Sequence, residues 1–150
     1  VEHAYRDSRI NRIFEGTNEI NRMLATGMLL KRAQKGVLPL VEAVKKLQAE
    51  LMSAPALSTE ASSERFADET RKIENAKKIG LLCLGVAYQK FGNELDKQQE
   101  VVASITDILM NTFAMESSVL RARKIAESGR NADNAYDMSR VFAAEVMDIV

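Results

Sequence analysis

Residues 96–129 have the sequence DKQQEVVASITDILMNTFAMESSVLRARKIAESG, in which apolar side chains recur at helical spacing. Asp96, followed by Gln99, has the form of a capping box at a helix start. Ser128 and Gly129 form the expected stop. The stretch therefore predicts one long amphipathic helix. The residues expected along its apolar face are Val101, Ile105, Ile108, Leu109, Thr112, Phe113, Val119 and Leu120.

Four further helices are predicted around this long one. Thr17 is a suitable N-cap for the first, Leu38 to Met52 forms the second, and Glu64 to Phe91 forms the third. Asp133 or Asn134 caps the last. The expected buried positions of the second helix are Val37, Val41, Val44, Leu47 and Leu51. Those of the third helix are Ile73, Ala76, Gly80, Leu81, Leu84 and Tyr88. Those of the last helix are Met138, Val141, Phe142, Glu145 and Ile149. These elements predict an all-α fold, an antiparallel bundle of four to five helices.

Glycines and a polar segment add detail to this prediction. Gly80 and Gly85 weaken a helix, so close approach of a neighbouring helix is their expected reason. Gly92 or Asn93 is the expected C-cap of the same helix. Residues 53–63 contain Pro55 and several small hydroxyl residues, which favours a loop or linker.

Composition excludes several classes of protein. The 21 basic and 21 acidic residues balance, so no overall basic field would attract nucleic acid. No apolar run approaches the ~20 residues of a membrane-spanning helix. A single histidine, His3, without cysteine or a second histidine nearby predicts no metal site. Cys83 has no partner for an intramolecular disulfide, and a buried, inert thiol is its expected state.

A carboxylate stands immediately before the first long helix. Glu15 and Gly16 occupy the expected turn ahead of Thr17, and the preceding residues Val1 to Ile13 have too few apolar positions to define a helix face. A helix N-terminus offers unpaired N–H groups and partial positive charge, which suit a bound anion. On physical grounds alone, a capped core helix with a solvated glutamate in its approach is the favoured explanation, because capping patterns are common.

The segment YRDSRINRIFEGTNEI, residues 5–20, closely resembles the C-terminal signature of the acyl-CoA dehydrogenases. That signature is Tyr-Arg-Asp, a small residue, a basic residue and Ile, then a spacer and aromatic-Glu-Gly-Thr with Gln or Glu two residues later. The match is continuous but covers only about a tenth of the chain. It implies an FAD-dependent enzyme that oxidises acyl-CoA thioesters to 2,3-enoyl-CoA.

The resemblance assigns roles to five residues. Glu15 matches the catalytic base that removes a proton from the carbon next to the thioester carbonyl. Phe14 and Gly16 match residues that line the substrate site. Thr17 and Glu19 match residues that contact FAD. Many relatives have Gln in place of Glu19, and an ionised glutamate can only accept hydrogen bonds, for instance from a cofactor hydroxyl.

The same resemblance suggests a division of the chain. Residues 1–35 would be the end of the catalytic core, and residues 36–150 an additional C-terminal helical bundle like that of the long-chain-type enzymes. The helix order and the character of residues 111–123 are similar to that extension. Most of the catalytic core would then lie outside this chain, which is expected to be inactive alone.

Partners and location follow from the resemblance as expectations. Electron-transfer flavoprotein would accept the electrons, the enzyme would be a homodimer, and the extra bundle could contact a membrane peripherally. Val37 to Met52 is the candidate helix for such contact, with an ordinary bundle helix as the simpler interpretation. The compartment would be the cytoplasm of a bacterium or the mitochondrial matrix of a eukaryote. The alternative function is a non-catalytic helical docking or oligomerisation module.

Overall fold

The computed structural model describes residues 1–53 and 65–150, and these residues form helices joined by short connections. No strand occurs in either described range. The α-helices are α1 (Glu2–Asp7), α2 (Asn18–Gln34), α3 (Leu40–Met52), α4 (Ala67–Phe91), α5 (Gln99–Glu127) and α6 (Asp133–Ile149), with 3₁₀ helices at Ser8–Arg12 and Gly92–Lys97. The all-α prediction is confirmed, and the described residues contain five long helices and the short α1. The predicted linker after Ser53 and the predicted helix start at Glu64 lie outside the described residues.

Helix α5 is the centre of the bundle, since α2, α4 and α6 all pack against it, while α3 packs on α4. Two apolar clusters lie along it, one at each end. The first cluster contains Phe66, Ile73, Ala76, Met115, Val119, Ala122, Ala143 and Val146. The second contains Leu84, Ala87, Leu95, Val102 and Ile105. The start of α4 packs against the end of α5, and the end of α4 packs against the start of α5. The two helices are therefore antiparallel.

Two glycines of α4 allow neighbouring helices to come close. A Cβ added to Gly80 would lie 3.2 Å from Cγ2 of Ile108 on α5. A Cβ added to Gly85 would lie 2.7 Å from Cγ1 of Val44 on α3. The predicted reason for both glycines is therefore confirmed. Gly92, with φ 53°, is the C-cap of α4, as predicted.

The predicted start and part of the predicted face of α5 are wrong. Asp96 lies in the 3₁₀ helix, and α5 begins at Gln99 without a side-chain cap. Phe113 and Leu120 are 73% and 55% exposed. They share an outer face of α5 with the half-exposed Met110. Since α5 has neighbours on several sides, its apolar residues spread around the helix and their spacing alone does not select one face.

The predicted face of α6 is also largely wrong. Met138, Val141 and Ile149 are exposed, whereas Ser139, Ala143 and Val146 are buried. The Ser139 hydroxyl lies 2.8 Å from Ala135 O of its own helix and 3.2 Å from Ser118 O of α5, and its one hydrogen can be donated to either carbonyl. Small residues let α6 approach α5 closely, and the predicted inward residue Phe142 is partly buried against the first apolar cluster. On α3, Leu47 is buried and Val41 and Leu51 are exposed.

Candidate functional site: the turn before α2

The N-terminal segment lies on the surface. Residues 1–16 are all exposed, and α1 and the 3₁₀ helix pack against each other without burying a side chain. The segment, whose apolar positions are too few to define a helix face, contains two short helices. Their sparse apolar residues explain why they have no buried face. The turn Phe14-Glu15-Gly16 follows and leads into α2, as predicted.

The backbone of this turn is unusual at two consecutive residues. Glu15 has φ 55° and Gly16 has φ 89°, both in the left-handed region. In residues 1–53 and 65–150, Glu15 is the one non-glycine residue with positive φ. Side chains with a Cβ rarely adopt this conformation because of steric conflict with the backbone. A Cβ on Gly16 would also lie 2.9 Å from Oδ1 of Asn21, so that side chain would have to shift, and the positive φ is what favours glycine there.

Two hydrogen bonds hold the turn against α2, and a third joins it to the preceding 3₁₀ helix. The Thr17 hydroxyl oxygen accepts from the amide of Ile20 at 3.4 Å, which confirms Thr17 as the N-cap. The side-chain amide of Asn21 donates to the carbonyl oxygen of Gly16 at 2.8 Å. On the other side of the turn, the Phe14 amide donates to Ile10 O at 3.1 Å. The position of Glu15 therefore depends on the first turn of α2.

Glu19 is held in its charged form. Its backbone N–H and the Thr17 side chain donate hydrogen bonds to the carboxylate, and with the nearby positive charge of Arg22 they lower the pKa of Glu19 below its ordinary value. A carboxylate that stays ionised has no N–H or O–H to offer. Glu19 can therefore only accept hydrogen bonds from a ligand, as expected from its identity.

All five residues assigned by the resemblance lie at this one turn and the start of α2. Glu15, Gly16 and Glu19 are exposed, Thr17 is half-buried, and Phe14 is 45% exposed. The turn does not line the apolar groove between α4 and α5, which includes Cys83, or the apolar groove along α6. Cys83 is half-buried rather than buried. Within the described residues, the turn therefore presents Glu15 to its surroundings without an enclosed pocket.

Two residues that matter for this turn do not stand out in the sequence. Asn21 fixes the Gly16 carbonyl, and Arg22 faces Glu19 and forms an ion pair with Asp107 of α5, Nε to Oδ1 at 2.7 Å. The sequence gives only a weak indication of these two roles, because polar side chains one helical turn after an N-cap are common at exposed helix starts. Only the tertiary contact with α5 gives Arg22 a particular role.

The structure also bears on metals and membranes. No cluster of three or more His, Cys, Asp or Glu side chains able to hold a metal ion occurs in residues 1–53 or 65–150. Within the same ranges, no helix is both long and apolar enough to cross a membrane.

A family model described as the acyl-CoA dehydrogenase C-terminal domain matches residues 75–150, half of the chain. The chain belongs to the acyl-CoA dehydrogenase family. It is 44% identical over 150 residues to a probable acyl-CoA dehydrogenase of Bacillus subtilis (strain 168), covering 99% of this chain and 25% of that protein. The resemblance inferred from residues 5–20 is thus confirmed at the level of the family.

The fold agrees with a solved acyl-CoA dehydrogenase structure. The crystal structure of an acyl-CoA dehydrogenase complexed with FAD from Bacillus anthracis superposes with a TM-score of 0.87 at 45% identity. The match covers 99% of this chain and 25% of that one. The chain therefore spans about a quarter of the length of the family members it matches.

Proposed function

We propose that this chain is the C-terminal part of an FAD-dependent acyl-CoA dehydrogenase, in which Glu15 is the general base. The complete enzyme converts an acyl-CoA thioester to the 2,3-enoyl-CoA. Glu15 takes the proton from the carbon next to the thioester carbonyl, the neighbouring carbon gives up a hydride, and a carbon–carbon double bond forms between the two. When bound, FAD supplies the hydride acceptor.

The backbone of Glu15 carries this proposal. A left-handed φ at a residue with a Cβ costs of order 1–3 kcal/mol, and such strain persists mainly where a function requires it. Glu15 with this conformation lies in the turn before α2, and its neighbour Gly16 has no side chain that could obstruct a ligand. Family membership and this strained glutamate in the matching motif position support the same role independently.

The neighbours of Glu15 would define the substrate end of the site. Phe14 exposes nearly half of its surface and offers an apolar wall for an acyl chain. Gly16, having no side chain, permits a thioester to lie against the backbone. Closure of an apolar substrate over the turn would exclude water, which strengthens the electrostatic interactions that stabilise charge during proton transfer.

The polar groups at the start of α2 fit part of FAD. Glu19 is ionised and accepts hydrogen bonds only, so it would suit a hydroxyl group of the cofactor and would repel a phosphate. Thr17 combines a hydroxyl with the N-terminus of α2, where partial positive charge favours electron-rich groups. We assign Thr17 and Glu19 to the hydroxyl-bearing part of FAD.

The outer face of α2 supports the proposed division at residue 35. Ile20, Leu24 and Met28 follow one another at helical spacing and are 61%, 54% and 44% exposed. The inner face of α2 packs on α5. In our proposal, residues 1–35 close the catalytic core, whose remaining helices cover this apolar row, and residues 36–150 form the added bundle. Electron-transfer flavoprotein as electron acceptor, a homodimer and peripheral membrane contact complete the proposal.

Substitution Glu15→Gln in the complete enzyme tests the proposed base. The variant keeps the size of the side chain and one acceptor oxygen, but it has no carboxylate that could accept the proton. It should retain FAD, observed by the flavin absorbance, and lose dehydrogenation of acyl-CoA measured with an artificial electron acceptor. Glu2→Gln, an exposed glutamate on α1, is the matched control and should retain activity. Normal turnover by Glu15→Gln would refute the assignment.

The exposed apolar rows also favour the second candidate, a helical docking or oligomerisation module. Besides α2, the bundle exposes Val41 and Leu51 of α3 and Met138 and Val141 of α6. Analytical ultracentrifugation of the 150-residue chain separates the candidates. A stable oligomer combined with an inactive complete protein would favour docking, whereas an active complete protein whose activity requires Glu15 favours the enzyme. Our proposal also predicts that the chain alone is purified without bound flavin and is inactive.

A further inference from the structure

A polar network connects α5 to α2, the helix that follows the turn with the proposed base. The Thr106 hydroxyl of α5 donates to the backbone carbonyl of Arg22 at 2.6 Å. Since that hydroxyl has one hydrogen, the contact of 2.7 Å between the Thr106 and Thr26 hydroxyls has Thr26 as its donor. Thr26 also lies 3.4 Å from the Val102 carbonyl. Both threonines are fully buried.

An ion pair continues this network toward the turn. Arg22 Nε lies 2.7 Å from Oδ1 of Asp107, with side chains 37% and 34% exposed. Arg22 follows Asn21, whose side chain binds the Gly16 carbonyl, and Arg22 also faces Glu19. An unbroken set of contacts therefore runs from Asp107 through the first turn of α2 to the residue after Glu15.

The hydrogen bonds of this network allow only one position of α2 along α5. Apolar packing tolerates small sliding of one helix along another, but a buried hydroxyl that loses its partner is left with an uncompensated desolvation penalty. Thr106 and Thr26 can satisfy each other and the Arg22 carbonyl at only one position of α2 along α5. The ion pair then fixes the rotation of the first turn of α2, since Asp107 accepts from one defined nitrogen of Arg22.

We infer that Asp107 and Thr106 are positioning residues for the proposed base, acting through Arg22 and the start of α2. This inference rests on the proposed role of Glu15. It gives the bundle of residues 36–150 a part in catalysis, because α5 belongs to that bundle and Glu15 to the catalytic core. Proton transfer requires accurate placement, and displacement of a reacting group by about 1 Å can cost up to about 100-fold in rate.

The chain offers a closely matched control for Asp107. Glu116 lies on the same helix, pairs with Lys77 of α4 at 2.6 Å, and has a side chain 35% exposed. Both ion pairs join α5 to a neighbouring helix at similar exposure. The Lys77–Glu116 pair does not involve α2 or the turn. A loss of stability alone would therefore affect Asp107→Asn and Glu116→Gln alike.

The test uses the complete enzyme with Asp107→Asn, Thr106→Val, Asp107→Glu and Glu116→Gln. We expect Asp107→Asn and Thr106→Val to lower kcat by about tenfold with little change in KM and in flavin content. Asp107→Glu should recover part of the loss, and Glu116→Gln should keep wild-type kcat. Wild-type kcat in Asp107→Asn and Thr106→Val, or an equal loss in Glu116→Gln, would overturn the inference.

Hydrogen–deuterium exchange gives a readout that does not depend on activity. Peptides that contain residues 14–22 should exchange at least about threefold faster in Asp107→Asn and Thr106→Val than in wild type and in Glu116→Gln. Unchanged exchange in these peptides would overturn the inference even if activity fell. A wild-type enzyme without acyl-CoA turnover would instead refute the proposed function, and the exchange rates alone would then decide whether α5 positions the turn.

Discussion

Gly85 of α4 lies so close to Val44 of α3 that a methyl group on Gly85 would be 2.7 Å from Cγ1 of Val44. α3 can pack this closely on α4 because Gly85 has no side chain. Val44 is β-branched and stiff, so it cannot yield by a simple rotation. Glycine at this position therefore weakens α4 as a helix but allows α3 and α4 to pack closely.

Gly85→Ala should destabilise the chain for this reason. The overlap with Val44 should cost about 1–3 kcal/mol, which exceeds the gain in helix propensity of about 1 kcal/mol or less. Urea unfolding followed by circular dichroism measures the change in free energy. Gly27→Ala on α2 is the control, since a methyl group there meets no atom within 4 Å. A Gly85→Ala variant as stable as Gly27→Ala would contradict the packing described.

Met115 and Phe113 should respond in opposite ways to truncation. Met115 is fully buried between α4, α5 and α6, whereas Phe113 is 73% exposed. Met115→Ala should cost about 2–5 kcal/mol because it leaves a cavity. Phe113→Ala should change stability by no more than about 0.5 kcal/mol. Thermal unfolding of the two variants tests the outward orientation of Phe113, and a large loss in Phe113→Ala would show that this face is covered.

Thr17 should stabilise α2 through its hydroxyl. Thr17→Val keeps the shape of the side chain but removes the acceptor that caps the Ile20 amide, at a cost of about 0.5–1 kcal/mol in the 150-residue chain. Thr17→Ser keeps the cap and should be close to wild type. Amide exchange at the start of α2 should rise in Thr17→Val alone. Equal exchange in the two variants would argue that the cap contributes nothing.

The stability of the chain should fall in acid partly through Asp68. A hydrogen bond from Lys72, the positive charge of Lys72 and a hydrogen bond from Arg71 lower the pKa of Asp68 below its ordinary value of 3.8. A lowered pKa in the folded state stabilises the fold fully above the ordinary pKa, and this contribution disappears as the pH falls through the lower folded-state pKa. Asp68→Asn should therefore show a shallower loss of stability below pH 4 than wild type.

Salt provides the control for this prediction. The side chain of Asp68 is 49% exposed, so added salt screens its interaction with Lys72 and should reduce the difference between wild type and Asp68→Asn. Urea unfolding at several pH values, with and without salt, measures both effects. Identical pH profiles for wild type and Asp68→Asn would contradict the role of this ion-pair cluster.

Helix periodicity and turn residues were enough to predict the fold class, Thr17 as N-cap, Gly92 as C-cap and the reason for Gly80 and Gly85. The outward faces of α5 and α6 were not predictable in the same way. Phe113, Leu120 and Met138 fall at helical spacing, but which side of a helix meets its neighbours depends on tertiary packing. On α6, small residues such as Ala143 take the buried positions because they allow close approach.

The candidate site shows a similar limit. The motif around Glu15 was recognisable from residues alone, and so was the turn that carries it. The positive φ of Glu15 and the contact of Arg22 with Asp107 were not, since the first is a backbone property and the second joins residues far apart in sequence. Both features concern how the turn is held in three dimensions, and a sequence motif alone does not give that information.

The central claim is that Glu15 accepts a proton from the substrate. Rapid mixing of acyl-CoA with the complete, FAD-loaded enzyme measures it directly, because loss of the flavin absorbance reports substrate oxidation in a single turnover. We predict rapid loss of absorbance in wild type and in Glu2→Gln, and a rate at least about 1000-fold lower in Glu15→Gln at equal flavin content. Bleaching of Glu15→Gln at the wild-type rate would contradict the account.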